Sequence, residues 1–250
     1  FFYSLSGSVS CTMAAMKLLL IACEALRPEI EFCMARSPHT IDIVWMEQGL
    51  HNTPEKLHSR LQDILRSADS GSDAVLLGYG LCGNGLLGLS CSLPLVVPKA
   101  HDCITLLLGS KQRHEEYNQL NPGSYFFSAG WIEHSQMPGP QSDRQLRAEY
   151  ITKYGPDNAD YLMEVEQEWR KRYKKAVFID WNLPNKQQHL QFTRQSADYL
   201  GWEFDQIDGD PELLQRFLDG RWDDQQVAVL PAGQPITQDL IGPCKLELQP

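Results

Sequence analysis

The stretch DAVLLGYGLCGNG, residues 73–85, joins an uninterrupted apolar run to a glycine-rich turn. The run AVLLG is apolar on both faces, which is typical of a parallel strand covered by helices on each side. A second run of the same kind, LPLVVP, follows at residues 93–98. We therefore predict that both runs are inner strands of a mostly parallel sheet, and that the glycine-rich turn lies at its carboxyl edge.

Apolar runs of strand length alternate with longer amphipathic segments along the rest of the chain, which is the pattern of an α/β domain. The pattern predicts a mostly parallel, Rossmann-like sheet of about seven strands with helices on both faces. Thr53 and Asp210 each precede a proline and an amphipathic segment, which predicts a helix after each of them. The predicted strands are Lys17–Cys23, Thr40–Met46, Asp73–Tyr79, Leu93–Val97, Lys175–Asp180, Trp202–Ile207 and Gln226–Leu230.

A turn-rich, aromatic segment at residues 121–139 separates the first four predicted strands from the last three. One continuous sheet and a two-lobed arrangement both stay open at this point. We expect a single α/β domain over residues 16–236, with lobes at 16–120 and 140–236 if the chain is two-lobed. Residues 1–15 have no periodicity and are expected to be a disordered upstream extension, and residues 237–250 are expected to form a C-terminal tail.

Composition restricts the class of partner. The chain has 22 lysine and arginine residues against 32 aspartate and glutamate residues, a formal net charge of −10, which disfavours nucleic acid and anionic membranes. No stretch approaches the roughly 20 apolar residues that span a bilayer. The seven cysteines are odd in number and lack the spacing of a secreted disulfide scaffold. We expect a cytoplasmic protein with reduced thiols and a small-molecule or protein partner.

Thiols and imidazoles follow several of the predicted strands. In open parallel sheets, ligands bind beyond the carboxyl ends of the strands. Cys23, Cys82 and Cys103 come just after the first, third and fourth strands, while His51 and His101 follow the second and fourth. Thiolate and imidazole bind Zn²⁺, and three cysteines can hold a [4Fe–4S] cluster with one iron open to substrate. We predict a metal centre held by the three cysteines, with His51 or His101 as a further ligand.

Three other interpretations of these residues stay open. The cysteines could pack as small hydrophobic side chains. Cys82 or Cys103 could act as a nucleophile with His101, because residues two apart in an extended segment share a side, which would point Asp102 away. The glycine-rich turn also has the spacing of a dinucleotide-binding motif, in which Gly80, Gly83 and Asn84 would contact the cofactor. The segment NGLLGLSCS that follows is a poor helix, which weakens the nucleotide interpretation.

Further side chains are expected to complete the site. If the protein is an enzyme, Asp102 or His101 would transfer protons, because carboxylate and imidazole groups are common acids and bases. Tyr125 and Trp131 lie in the aromatic segment and could form a wall of the pocket. The same aromatic side chains could instead anchor an irregular segment to the core.

The ordered motifs of the chain resemble a known family. The set IACEAL, SPHT, GLHNTP, DAVLLGYGLCGNG, VVPKAHDCITLLLGS, GSYFFSAGW and VLPAGQPIT is similar to the family of domain of unknown function 1638, from about Met16 to Ile236. The resemblance implies an association with corrinoid-dependent methyltransferase systems, and hence a metal, methyl-transfer or cofactor-handling role. It assigns no catalytic role to the residues that match its pattern by motif position, which are Cys23, His51, Cys82, His101, Asp102 and Cys103.

Two classes of function follow from this resemblance. One is an enzyme whose metal acts on a small-molecule substrate, with methyl transfer to or from a thiol or a corrinoid as the most concrete version. The other is a non-catalytic accessory protein that binds a cofactor or a methyltransferase. A closed pocket lined by the thiols would favour the enzyme, whereas an exposed apolar face on residues 121–139 would favour the accessory protein.

Overall fold

The structure, a computed structural model, describes residues 14–68, 71–81, 84–222 and 225–240. The strands of these residues are β1 Lys17–Cys23, β2 Thr40–Met46, β3 Ala74–Gly78, β4 Leu95–Pro98, β5 Ser124–Phe127, β6 Lys175–Asp180, β7 Glu203–Asp208 and β8 Val227–Leu230. The α-helices are α1 Arg27–Met34, α2 Pro54–Ser67, α3 Cys103–Leu108, α4 Lys111–Leu120, α5 Ala129–His134, α6 Pro140–Tyr154, α7 Pro156–Glu166, α8 Lys186–Leu200 and α9 Glu212–Leu218. Short 3₁₀ helices lie at Glu24–Leu26, Leu50–Asn52, Glu168–Arg172 and Gln238–Leu240.

The strands form two sheets. Sheet A has five strands in the order β2-β1-β3-β4-β8, parallel except for β8, which runs antiparallel to β4. Sheet B has three parallel strands in the order β5-β6-β7. The predicted mostly parallel α/β class is confirmed, and of the two arrangements left open, the described strands form two sheets rather than one continuous sheet of about seven strands. The neighbour of β4 in sheet A is β8, from late in the chain, and not the next strand along the chain, β5, which belongs to sheet B.

One strand was absent from the prediction. Strand β5 lies inside the turn-rich segment and has only four residues, SYFF, all of them buried. Gly123, with φ at +79°, precedes the strand, and Ser128, the N-cap residue of α5, follows it. The sequence around β5 therefore has the composition of a turn, although the four residues between these signals are extended.

Helices cover both faces of sheet A. Ile21 and Val75 point to the face covered by α2, whereas Leu20 and Leu76 point to the face covered by α1, α3 and α9. The first of these cores also contains Phe127 of β5, and the second contains the neighbouring residue of the same strand. Each core therefore runs through both sheets.

The two sheets meet through α5, which packs against the 3₁₀ helix Glu24–Leu26 and against α1. Gly130 of α5 lies directly on the chain at Ala25, where an added Cβ would come within 2.3 Å of the Ala25 carbonyl oxygen. Its N–H donates to Oε1 of Glu29, at 3.4 Å. Glu29 is only 1% exposed, so a carboxyl group is buried where the two halves of the chain join.

Both ends of the chain extend beyond the described residues. The predicted upstream extension falls outside the described residues as far as residue 13, and the predicted tail does so from residue 241. The described part of the tail includes the last of the short 3₁₀ helices. Among the residues that are described, no helix is both long enough and apolar enough to cross a membrane.

Burial of Glu29 makes the stability of the protein depend on pH. Desolvation raises the pKa of Glu29 from 4.5 to about 7, although hydrogen bonds from Gly130 and Ser128 oppose the shift. The folded protein thus keeps a proton that the unfolded chain releases, so this carboxyl group lowers the free energy of unfolding as the pH rises from 4.5 to about 7.

We predict that Glu29→Gln removes this pH dependence. Urea unfolding at pH 5 and pH 8 measures the free energy of unfolding of both proteins. Relative to the wild type, the value for the variant should rise between pH 5 and pH 8 by up to about 3 kcal/mol. Glu31→Gln, on the exposed side of the same helix, is the matched control and should show no such gain. A constant difference between Glu29→Gln and the wild type across this pH range would contradict the prediction.

Candidate functional site

A cavity of about 240 Å³ lies at the carboxyl edge of sheet A. Strands β1 and β3 are neighbours there, and the chain leaves β1 toward β2 on one side before it returns to β3 on the other. This reversal of strand order is the place where open α/β sheets bind ligands. The position of the cavity therefore follows from the topology of the sheet.

Segments after four strands and one helix of the second half line the cavity. The first four strands of sheet A contribute through the residues that end or follow them, and α5 contributes Trp131. The lining residues are Cys23, Ala25 and Leu26 after β1, Glu47, His51 and Asn52 after β2, Gly78, Tyr79 and Gly80 at the end of β3, and Asp102, Cys103 and Ile104 after β4.

Six of the predicted site residues lie on this cavity. They are Cys23, His51, Gly80, Asp102, Cys103 and Trp131. Others lie elsewhere: Tyr125 packs in an aromatic cluster with Trp169, Tyr173 and Trp202, and Asn84 is exposed in a turn. Cys82 and Gly83 lie outside the described residues.

In an extended segment, His101 would share a side with Cys103 and Asp102 would point away, but the structure shows the reverse. Strand β4 ends at Pro98, and α3 begins at Cys103 with Asp102 as its N-cap residue, so residues 101–103 do not follow strand alternation. As a result, Asp102 and Cys103 line the cavity together, whereas His101 is buried with 1% exposure. The prediction that His101 shares a side with Cys103 while Asp102 points away is therefore wrong.

The Asp102 carboxyl group is held by a small buried network. Its Oδ1 accepts hydrogen bonds from the backbone N–H of Thr105, at 3.1 Å, and from the Thr105 hydroxyl group, at 3.3 Å. Nδ1 of His114 lies 3.1 Å from that hydroxyl oxygen and 3.5 Å from Oδ1 of Asp102. Burial lowers the pKa of His114, which favours the neutral imidazole. Asp102 is thus fixed on the cavity wall by residues of α3 and α4.

The two cavity thiols differ in their surroundings. Burial raises the pKa of Cys23 to about 11, against hydrogen bonds with the Ala25 backbone and the Tyr79 side chain. Cys23 is therefore a neutral thiol near pH 7 unless a cation replaces its proton. Cys103 is partly exposed, and the described cysteines Cys23, Cys33, Cys91 and Cys103 are all free of disulfides. Burial lowers the pKa of His51, which keeps its imidazole neutral and able to bind a metal or a proton.

Among the described residues, no three His, Cys, Asp or Glu side chains are arranged to hold a metal ion. Cys82, the remaining ligand of the predicted set, falls in the gap between residues 81 and 84. The described residues thus contribute two thiols and one imidazole to the cavity wall but no complete ligand set.

Gly80 lets the end of β3 pack closely against the segment that follows β4. A Cβ on Gly80 would lie 2.5 Å from the Cα of Asp102, so the end of β3 packs on the backbone of the segment that leads into α3. Residues 84–88 form turns and no helix. A dinucleotide-binding motif requires a helix at this point to place backbone N–H groups against the pyrophosphate. The nucleotide interpretation therefore loses the element on which it depends.

Sequence reasoning missed three polar groups of this site. Glu47 directly follows β2, so the rule that selected the cysteines at strand ends would have selected it too. Tyr79 lies between Gly78 and Gly80, and the glycine spacing of this segment carries no signal for the tyrosine. His114 gives no local signal, because its contact with Asp102 depends on how α4 packs against α3.

Comparison with known proteins gives one match. The sequence model of a family described as a protein of unknown function, DUF1638, matches residues 45–218. The chain belongs to this family. The match runs from β2 to the end of α9, so it includes the cavity residues from Glu47 to Trp131 but not Cys23, a narrower range than the resemblance suggested. No curated protein and no solved structure matches the chain.

The contact between Gly80 and Asp102 leads to a prediction for this DUF1638 protein. We expect Gly80→Ala to lower the free energy of unfolding by about 3 kcal/mol. The new methyl group would overlap backbone atoms of Asp102, which cannot rotate away as a flexible side chain can. Gly155→Ala is a control, since Gly155 has φ at +81° but no atom within 4 Å of an added Cβ. It should cost only about 1 kcal/mol, through its backbone conformation. Urea unfolding of both variants tests the prediction, and an equal loss in the two would refute it.

Proposed function

We propose that this protein binds a small molecule in the cavity, beside a metal centre held by the thiolates of Cys23, Cys82 and Cys103 and by the imidazole of His51. The centre would be Zn²⁺ or an iron–sulfur cluster. The observation that carries the proposal is that two thiols and an imidazole, from the ends of three different strands, line one cavity. The topology of the sheet brings the strand ends together, and the residue types found there, two thiols and an imidazole, are those that bind soft metal ions.

Cys82 enters the ligand set through its place in the chain. It lies two residues beyond Gly80, which lines the cavity, so its Cα is within about 8 Å of the Gly80 Cα. A cysteine side chain on this short connection can reach the cavity without any change in the strands. The proposal therefore requires a local conformation of the turn and also side-chain rotations of Cys23, Cys103 and His51, since no three described side chains are arranged to hold a metal ion.

The chemistry of the thiols suits a metal. A buried thiol with a pKa near 11 gives up its proton at neutral pH only when a cation takes its place. Soft thiolate ligands select Zn²⁺ or iron–sulfur clusters over hard cations. A metal held by only three of these ligands, with its fourth position open, would act as a Lewis acid toward the ligand in the cavity. Asp102, fixed by Thr105 and His114, would supply a carboxylate on the same wall.

The aromatic segment favours a pocket-based function over the accessory protein. Its large apolar side chains are buried, including Phe127, Trp131 and Met137. Within residues 121–139, all described, there is no exposed apolar face for a partner to cover, whereas Trp131 lines the cavity. An interaction with a methyltransferase would have to use another surface.

The size of the cavity bears on the corrinoid association that the family resemblance implies. Pockets for drug-sized ligands have volumes of about 300–1,000 Å³. The 240 Å³ cavity lies below this range, so neither a corrin ring nor a dinucleotide can enter it whole. A corrinoid would therefore act at the mouth of the cavity, and methyl transfer to or from a small bound molecule is the version of the proposal that fits this size.

Anaerobic purification followed by elemental analysis and an absorption spectrum tests the metal. We predict stoichiometric zinc or iron in the wild type and loss of that metal in Cys82→Ala and Cys103→Ala. Affinity should fall as the pH is lowered, because protons compete for the thiolates.

Cys33→Ala is the matched control, since Cys33 is buried in the core on the face of sheet A covered by α1 and should leave the metal content unchanged. A wild type that holds neither metal after reconstitution with Zn²⁺ or with iron and sulfide would overturn the metal centre. Retention of the metal in Cys82→Ala would remove Cys82 from the ligand set.

A further inference from the structure

We infer that the ligand of this cavity is a small organic cation that also carries a hydrogen-bond-accepting oxygen. This ligand class rests on the ligand site of the proposed function, but it does not require the metal. Two independent observations carry it: the charge of the cavity wall, and an unpaired donor buried within that wall.

The charge of the wall disfavours anions. The described residues that line the cavity include the carboxyl groups of Glu47 and Asp102 but no lysine or arginine. Phosphate and carboxylate ligands usually meet arginine, lysine or a free helix N-terminus in their sites, whereas the α3 N-terminus on this wall is already capped by the carboxylate of Asp102. A cation, by contrast, finds two carboxyl groups without a competing positive side chain.

The metal does not reverse this preference. Three thiolates around a dication leave a negative net charge, and the added imidazole is neutral. Without a metal, the two carboxyl groups still set the sign. The field in the cavity therefore attracts a cation in both states of the centre.

Trp131 supplies the second observation. Its side chain lines the cavity and is only 5% exposed, yet its indole Nε1–H has no acceptor among the described residues. A buried donor without a partner lowers stability, and an acceptor on the ligand would recover that loss. An oxygen of the ligand that accepts from Trp131 would satisfy this group.

The aromatic rings of the wall add a contribution that also favours a cation. Trp131 and Tyr79 both line the cavity, and the ring of His51 lies 6.1 Å from that of Trp131. Ammonium groups are attracted to the faces of such rings. Glu47, which is exposed, supplies the carboxylate on the solvent side of the same wall.

Isothermal titration with ligands of equal shape and different charge tests the ligand class. Choline, its uncharged isostere 3,3-dimethylbutan-1-ol and the anion 3,3-dimethylbutanoate differ mainly in charge. We expect choline to bind about tenfold more tightly than the alcohol and the anion to show no binding. Ethanolamine and glycinamide extend the panel to smaller cations that also carry an oxygen.

Two variants separate the charge from the hydrogen bond. Glu47→Gln should reduce the preference for choline over its uncharged isostere, whereas Glu55→Gln, an exposed acidic residue outside the cavity, should leave it unchanged. Trp131→Phe keeps an aromatic ring but removes the N–H group. It should weaken choline more than tetramethylammonium, which has no oxygen.

The inference is overturned if the alcohol or the anion binds as tightly as choline, or if none of the three cations binds. Metal content measured on the same samples distinguishes a failure of the metal centre from a failure of the cationic ligand class. Cation binding by a protein that never holds metal would refute the metal centre alone. A metal-loaded protein without preference for cations would refute the ligand class alone.

Discussion

The cavity exists because two backbones touch where the sheets meet. Gly130 of α5 lies against the carbonyl oxygen of Ala25, at a distance that leaves no room for a side chain. This contact seats α5 on the 3₁₀ helix that follows β1 and carries the next residue, Trp131, over the carboxyl ends of β1 and β3. Sheet A alone would present its strand-end side chains on an open edge. The second half of the chain converts that edge into a pocket with an aromatic wall, which is why both halves are needed for one site.

The same junction contains a buried carboxyl group that lowers the stability of the fold. Glu29 is buried beneath α5, and its raised pKa shows that the environment favours the protonated form. An apolar or amide side chain at this position would avoid that cost. Residues that lower stability persist mainly where the surrounding structure has a further use. Here the surrounding structure is the α5 junction, where Glu29 contacts Gly130, the residue next to Trp131 of the cavity wall.

Local sequence patterns were sufficient for the strands of sheet A and insufficient for the division into two sheets. Apolar runs bounded by turn residues identify a buried strand, but they do not say which neighbour it pairs with. The pairing of β8 with β4 joins residues more than 120 positions apart, and no local signal specifies it. The site shows the same limit. Parallel strands share a carboxyl edge, so the placement of Cys23, His51 and Cys103 on one cavity could be anticipated from strand ends. The orientation of Asp102 could not, because it depends on the residue at which an extended segment becomes a helix.

The spacing of the glycine-rich turn is compatible with two structures, a dinucleotide-binding turn and close packing between strand ends. In a dinucleotide-binding turn, glycines are required because a phosphate approaches the backbone too closely for a Cβ. In this protein the neighbour at Gly80 is the backbone of Asp102, and the neighbour at Gly78 is the Cβ of Ala22, 2.8 Å from an added Cβ. The physical requirement, an absent side chain, is the same in both cases, so the same spacing arises. What distinguishes them is the element that follows: a phosphate needs the aligned N–H groups of a helix, whereas packing between strand ends does not. The turns at residues 84–88 therefore decide between the two explanations, in favour of glycines that let the strand ends close around a cavity.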